Sequence, residues 1–248
     1  MRSRVSESQY ARAVLPLVTD PQSKVALLAG ATGLVGGALL DVLLEAADFS
    51  RVVVITRRPL AREHARLANR IVRFERLAEQ LAGFACHTVF CCLGTTIREA
   101  GSKEAFRAVD FDLILALAHA ARAWQAQRFV VISAVGADPH SKNFYLRTKG
   151  ETEQALEQAG FTSLDILQPS VLLGARREMR PLELAARALA PLVNPLLVGK
   201  RRIYRGISSR TVAQAMLGAA RSGRRGLYRY THDGIVALSQ KGARRTTV

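Results

Sequence analysis

Residues 24–41, "KVALLAGATGLVGGALLD", constrain this chain more than any other stretch. Five apolar residues run into a glycine-punctuated turn, and that turn opens directly into a helical pattern. Gly30, Gly33 and Gly36 form G-x-x-G-x-x-G. Glycines so placed let the backbone turn tightly and approach a pyrophosphate, which then rests on the N-terminus of the following helix. Close packing of helix on strand also favours glycine here. The order of strand, loop and helix favours dinucleotide binding.

The rest of the chain fits that opening. "RVVVIT" (51–56), "RIVRFE" (70–75), "HTVFCCLG" (87–94), "RFVVIS" (128–133) and "SLDILQP" (163–169) read, like "KVALLAG" (24–30), as buried strands. Apolar runs without alternation suit a parallel sheet covered on both faces. Between them lie "GLVGGALLDVLLEAA", "FDLILALAHAARAWQ" and "FYLRTKGETEQALEQAG", each with helical periodicity, the last stopping at Gly160. The expectation is an α/β chain: a doubly wound, Rossmann-type parallel sheet with right-handed crossovers.

After Pro169 the texture turns rich in Pro and Arg, with "SSRTVAQAMLGAARSG" (208–223) as a capped helix and "GLYRY" (226–230) as a late strand. This region reads as a small C-terminal substrate lobe over the carboxyl ends of the strands, where α/β ligands bind. Residues 1–20 read as a loose arm and 21–240 as a single NAD(P)-binding domain. Within it, 170–210 form much of the lobe, and 241–248 are a tail.

The second strand ends in "ITRRP". An acid near this point bonds the ribose 2′-hydroxyl in NAD-selective folds. Here Arg57 and Arg58 stand instead, and guanidinium forks suit a 2′-phosphate. NADPH/NADP is therefore the expected cofactor in preference to NAD.

Further along, Tyr145 and Lys149 are four residues apart, one turn on a common helix face. Ser133 ends a strand twelve residues earlier. Alone, each has an ordinary alternative: a helix-surface pair, and a turn serine.

Lys+Arg number 36 against 20 Asp+Glu, a net charge of +16. Such a field suits nucleic acid, an anionic membrane or a phosphorylated ligand. No RNA-binding aromatic motif, zinc finger or recognition helix accompanies it, so compositional bias, with arginines scattered over solvated faces, is the preferred reading and no specific nucleic-acid partner is expected. Hydrophobic residues make up 49% and charged residues 23%, the balance of a globular protein. No segment reads as a transmembrane span, and the N-terminus lacks the apolar core of a secretory signal. Cys86, Cys91 and Cys92 lack metal-ligand spacing, and adjacent strand cysteines point to opposite faces. The scattered histidines show no metal spacing either. A reduced, cytoplasmic setting is the natural reading.

The glycine loop, "TRRP", Ser133 and Tyr145-x-x-x-Lys149 together resemble the short-chain dehydrogenase/reductase superfamily. "FCCLGTTIREAGSKEAFRAVD" (90–110), "SKNFYLRTKGETE" and "LQPSVLLGARREMRPLE" are similar to motifs of its atypical group, that of a Tat-interacting protein and its bacterial relatives. The resemblance covers about residues 24–220. It implies an NADPH-bound Rossmann domain in which Gly30, Thr32, Gly33, Leu34, Val35 and Gly36 line the pyrophosphate. Arg57, helped by Arg58, would hold the 2′-phosphate. Leu93 and Gly94 would pass along the cofactor, and Pro169 to Val171 would meet the nicotinamide end. It makes Tyr145 the acid/base toward a substrate oxygen and Lys149 its activator and a ribose ligand, with Ser133 orienting the carbonyl.

The expected reaction is hydride transfer between the nicotinamide and a carbonyl of a small molecule. An NADPH-sensing regulator acting through a protein partner is an alternative. An epimerase on a sugar nucleotide ranks lower, because the lobe is small. Arg176, Arg177 and Arg180 could contact an anionic substrate or simply face solvent. "APLVNPLLVG" (190–199) could form a homo-oligomer contact or a membrane-touching patch, but lining the substrate pocket is the simpler account.

Overall fold

The computed structural model describes residues 24–173 and 199–244. The arm at 1–20, most of the expected lobe (174–198) and residues 245–248 lie outside the described residues.

Six parallel strands follow in chain order: β1 (Val25–Ala29), β2 (Arg51–Thr56), β3 (Leu67–Ile71), β4 (Thr88–Cys91), β5 (Arg128–Ile132) and β6 (Ser163–Leu167). Two short strands, β7 (Leu172–Leu173) and β8 (Ile207–Ser208), pair only with each other, and β9 is Gly226–Tyr230. The main sheet has seven strands in the order β3-β2-β1-β4-β5-β6-β9, every pair parallel. This is the doubly wound Rossmann order, with its switch point between β1 and β4.

The helices are α1 (Leu34–Glu45), α2 (Leu77–Gln80), α3 (Ile97–Ala100), α4 (Lys103–Arg107), α5 (Leu113–Ala123), α6 (Phe144–Gln158), α7 (Ser209–Arg221) and α8 (His232–Ala243). Strand residues alternate between two cores because successive side chains point to opposite faces. Ala26, Leu28, Val52, Val54, Phe90 and Val130 pack with α1, α7 and α8. Leu27, Val53, Ile55, Val89, Phe129 and Val131 pack with α2, α5 and α6. Both faces are covered, which is why these strands read as continuous apolar runs.

Two strands differ most from the sequence reading. The third strand starts and ends earlier than 70–75: Ile71 pairs with Thr56, the last residue of β2. Beyond it the Val72 N–H still donates to Thr56 O at 2.9 Å, and Phe74–Arg76 then turn into a 3₁₀ helix. The late strand, read with the lobe, instead extends the main sheet beside β6. Cys91 and Cys92 fall on opposite faces, and all three cysteines are free thiols.

Several arginines tie elements together rather than form a surface for partners. Arg66 donates to the carbonyls of Leu44, Ala46 and Phe49 at the end of α1. Arg221 pairs with Asp48 and donates to carbonyls at the end of α8. Part of the +16 charge is thereby spent on backbone carbonyls at helix ends, where cations are favoured.

Candidate functional site

The glycine loop lies at the switch point, and its three glycines divide the work. Gly30 has φ of +87°, a left-handed conformation that glycine adopts freely. A Cβ there would lie 2.4 Å from the carbonyl oxygen of Cys92, just beyond β4. At Gly36, a Cβ would fall 2.0 Å from the Gly30 carbonyl oxygen. Both positions are packed backbone to backbone. Gly36→Ala is expected to cost about 1–3 kcal/mol, as overpacking does, in thermal unfolding without cofactor.

Gly33 differs, because a Cβ there would meet only the Gly30 carbonyl oxygen, at 3.3 Å. It is exposed and forms the N-cap of α1, with no side-chain cap and no acid in the first turn. The first N–H groups of a helix lack intrahelical acceptors, so an uncapped, acid-free N-terminus fits an anionic group. Thr32 is exposed and Leu34 half-buried beside it. The Val35 side chain is packed into the core, leaving only its backbone for a ligand.

After β2, Arg57 and Arg58 are exposed, and among the described residues neither pairs with an acid. The turn carrying them is fastened from β3. Asn69 donates to Thr56 Oγ1 at 2.8 Å and accepts the Leu60 N–H at 2.9 Å. Asn69 is not evident from the sequence, since its role depends on the β2–β3 register.

On the other side of the switch point, β5 ends and Ser133 follows. Its N–H donates to Leu167 O at 2.8 Å, while its buried hydroxyl has no hydrogen-bond partner among the described residues. The loop after it is clamped to α6. Asp138 N–H donates to Leu146 O, and a Cβ on Gly150 would fall 2.2 Å from Asp138 C. Gly150, next to Lys149, thus lets the Ser133 loop and α6 meet.

Helix α6 starts cleanly, with Asn143 Oδ1 accepting the Leu146 N–H at 3.2 Å. Tyr145 is half-buried one turn before Lys149, its ring 5.5 Å from that of Phe106. Lys149 is buried, with its Nζ 2.7 Å from Asp110 Oδ1. Burial alone would lower this amine. The Asp110 carboxylate, then Tyr145, overcome that and hold it above the ordinary lysine value. Asp110 sits in a π-helical turn, Ala108–Asp112, and accepts the Thr95 N–H at 2.8 Å. Asp110 closes the 90–110 stretch quoted above, but its role is not evident from the sequence, since its partners lie on two other elements.

Gly94 borders this pair: a Cβ there would lie 3.3 Å from Asp110 Oδ1 and 3.7 Å from Lys149 Nζ. Leu93 packs against the core nearby. Pro169 accepts the Val135 N–H, and Val171 is exposed and accepts the Ile207 N–H. Arg176, Arg177 and Arg180 lie outside the described residues. Cys91 borders the site but is inert as a nucleophile, because burial pushes its thiol up to about 12. Among the described residues no group of His, Cys, Asp or Glu could hold a metal. None of their helices is long and apolar enough to cross a membrane.

Known proteins place the chain further. The NAD dependent epimerase/dehydratase family matches residues 26–191. Protein HTATIP2 of Rattus norvegicus is 41% identical over 170 residues, 67% of this chain and 70% of that protein. The mitochondrial protein FMP52 of Lodderomyces elongisporus is 33% identical over 167 residues, covering 62% and 69%. Among solved structures, MoeE5 in complex with UDP-glucose and NAD superposes with a TM-score of 0.61 at 16% identity, covering 88% of this chain and 81% of that one. Bordetella bronchiseptica WbmH in complex with NAD+ gives 0.62 at 15% identity, covering 84% and 75%.

Proposed function

This chain belongs to the NAD dependent epimerase/dehydratase family, and from that premise we propose that it is an NADPH-dependent oxidoreductase acting on the carbonyl of a small molecule. The observation that carries the proposal is the buried Lys149, held one turn from the half-buried Tyr145, with a Ser133 hydroxyl that has no hydrogen-bond partner among the described residues.

Gly30, Thr32, Gly33, Leu34, Val35 and Gly36 would hold the pyrophosphate, Arg57 and Arg58 the 2′-phosphate, and Lys149 the nicotinamide ribose. Leu93, Gly94, Pro169 and Val171 would border the rest of the cofactor. When bound, that cofactor supplies the hydride. The protein places the charges and moves the proton. Tyr145 Oη hands a proton to the substrate oxygen, and the Lys149 ammonium favours the phenolate left behind. Ser133 Oγ donates to the same oxygen and fixes its direction.

The cofactor preference has a direct test. Arg57→Ala should raise the NADPH Kd about tenfold or more, the worth of a charge-assisted hydrogen bond, and leave NADH binding unchanged. Equal loss for both cofactors in titration calorimetry would remove the 2′-phosphate assignment. NADPH oxidation across a panel of aldehydes and ketones tests the reaction itself.

A second reading, an NADPH-sensing binding protein with little turnover, draws on Asp110. A carboxylate 2.7 Å from Lys149 offsets part of the positive field that would otherwise act on Tyr145. Intact NADPH binding without NADPH oxidation on any carbonyl would decide for it.

A further inference from the structure

Asp110 is fully buried, and three contacts from two other parts of the fold converge on it. Oδ1 lies 2.7 Å from Lys149 Nζ. Oδ2 accepts the Thr95 N–H at 2.8 Å, from the loop after β4. Its backbone carbonyl accepts Thr152 Oγ1 at 2.8 Å. Thr152 lies three residues beyond Lys149, so Asp110 grips α6 at two adjacent points of one face. The π-helical turn makes this grip available, since such bulges shift side chains out of α-helical phase.

We propose that Asp110 is the positioning residue for Lys149, aiming the amine within the site and keeping it charged there. The proposal rests on the reading of Tyr145 and Lys149 given above. A lysine ammonium on a four-carbon stem has many rotamers, and a buried carboxylate at hydrogen-bond distance selects one. The groups facing the amine are Asp110 from the π-helical turn, Tyr145 from α6 itself and Cys91 from β4. With an amide in place of Asp110, no carboxylate of the described residues faces it. Burial then prevails and drives the amine below its ordinary range.

The same carboxylate holds the Thr95 backbone, one residue from Gly94 on the cofactor side. Asp110 therefore joins the acid/base helix to the loop that would run along the cofactor. A displaced Asp110 would disturb both at once.

The experiment uses the full chain with isotope-labelled lysines, of which there are six. The Lys149 side-chain resonance is assigned by its loss in Lys149→Arg. Native Lys149 should stay protonated up to the ordinary lysine value of about 10.4 and titrate above it. Asp110→Asn should lower its midpoint by about one pH unit or more, a tenfold change, and Asp110→Glu should restore most of the shift. An unchanged midpoint in Asp110→Asn overturns the proposal. If that variant does not fold, the native protein decides: Lys149 titrating with or below the other lysines overturns it. The readout needs no turnover. Failure of the acid/base reading would show as activity surviving in Tyr145→Phe, while the Lys149 titration still behaved as stated.

Discussion

Tyr145→Phe should lower turnover by about 10²–10⁴-fold, the range that a positioned proton donor contributes. NADPH affinity should stay nearly unchanged. The substitution removes one oxygen and keeps the ring, so its packing against Phe106 persists. Lys149 keeps its ion pair with Asp110. On the transition-state scale the loss is about 3–5 kcal/mol, too large for a slightly misplaced substrate. Steady-state kinetics on the best carbonyl substrate, beside NADPH titration, separates the two effects. Full turnover in the variant would remove Tyr145 from the mechanism and leave the cofactor assignment standing.

A second large effect lies away from the glycine loop, within the sheet itself. Asp165, in the middle of β6, has no solvent exposure and pairs with Arg128 of β5. Arg128 also donates to Ala219 O at 3.0 Å, at the end of α7. Tyr230 of β9 donates to Asp165 Oδ1 at 2.9 Å and accepts from Arg224 at 2.8 Å. These contacts knit β5, β6, β9 and α7 together. Asp165→Ala strands a buried guanidinium and should destabilise the fold by about 3–5 kcal/mol. The double variant Arg128→Met/Asp165→Leu should recover most of that loss, because neither charge then needs desolvation. Urea unfolding of the three proteins checks both statements. A single variant as stable as the native chain would show the knot to be ornamental.

The fold is largely legible in the residues alone, for a physical reason. Strands buried on both faces are apolar at most positions, and Ala26–Ala29 and Val52–Ile55 declare this without ambiguity, while Asp165 and Arg128 are buried as a pair. Edges are quieter. In β9, Leu227 is exposed, and its place beside β6 comes from packing rather than pattern.

The site divides in the same way. Gly33, Arg57, Tyr145 and Lys149 announce themselves by local order and spacing. Asp110, Thr95, Asn69 and Gly150 act across elements. The bonds of Asn69 to Thr56, Thr95 to Asp110 and Thr152 to Asp110 span 13, 15 and 42 residues. Contacts of that reach depend on how helices and strands cross, which no short motif encodes.

The π-helical turn at Ala108–Asp112 makes the chemistry depend on a length as well as on an identity. An α-helix advances about 100° per residue, so removing one residue from that turn would rotate Asp110 by about that angle. The carboxylate would leave Lys149 although every charged residue of the site survived. The charge balance of the candidate site is thus set partly by helix phase, and a single-residue deletion at this turn would act as an electrostatic mutation.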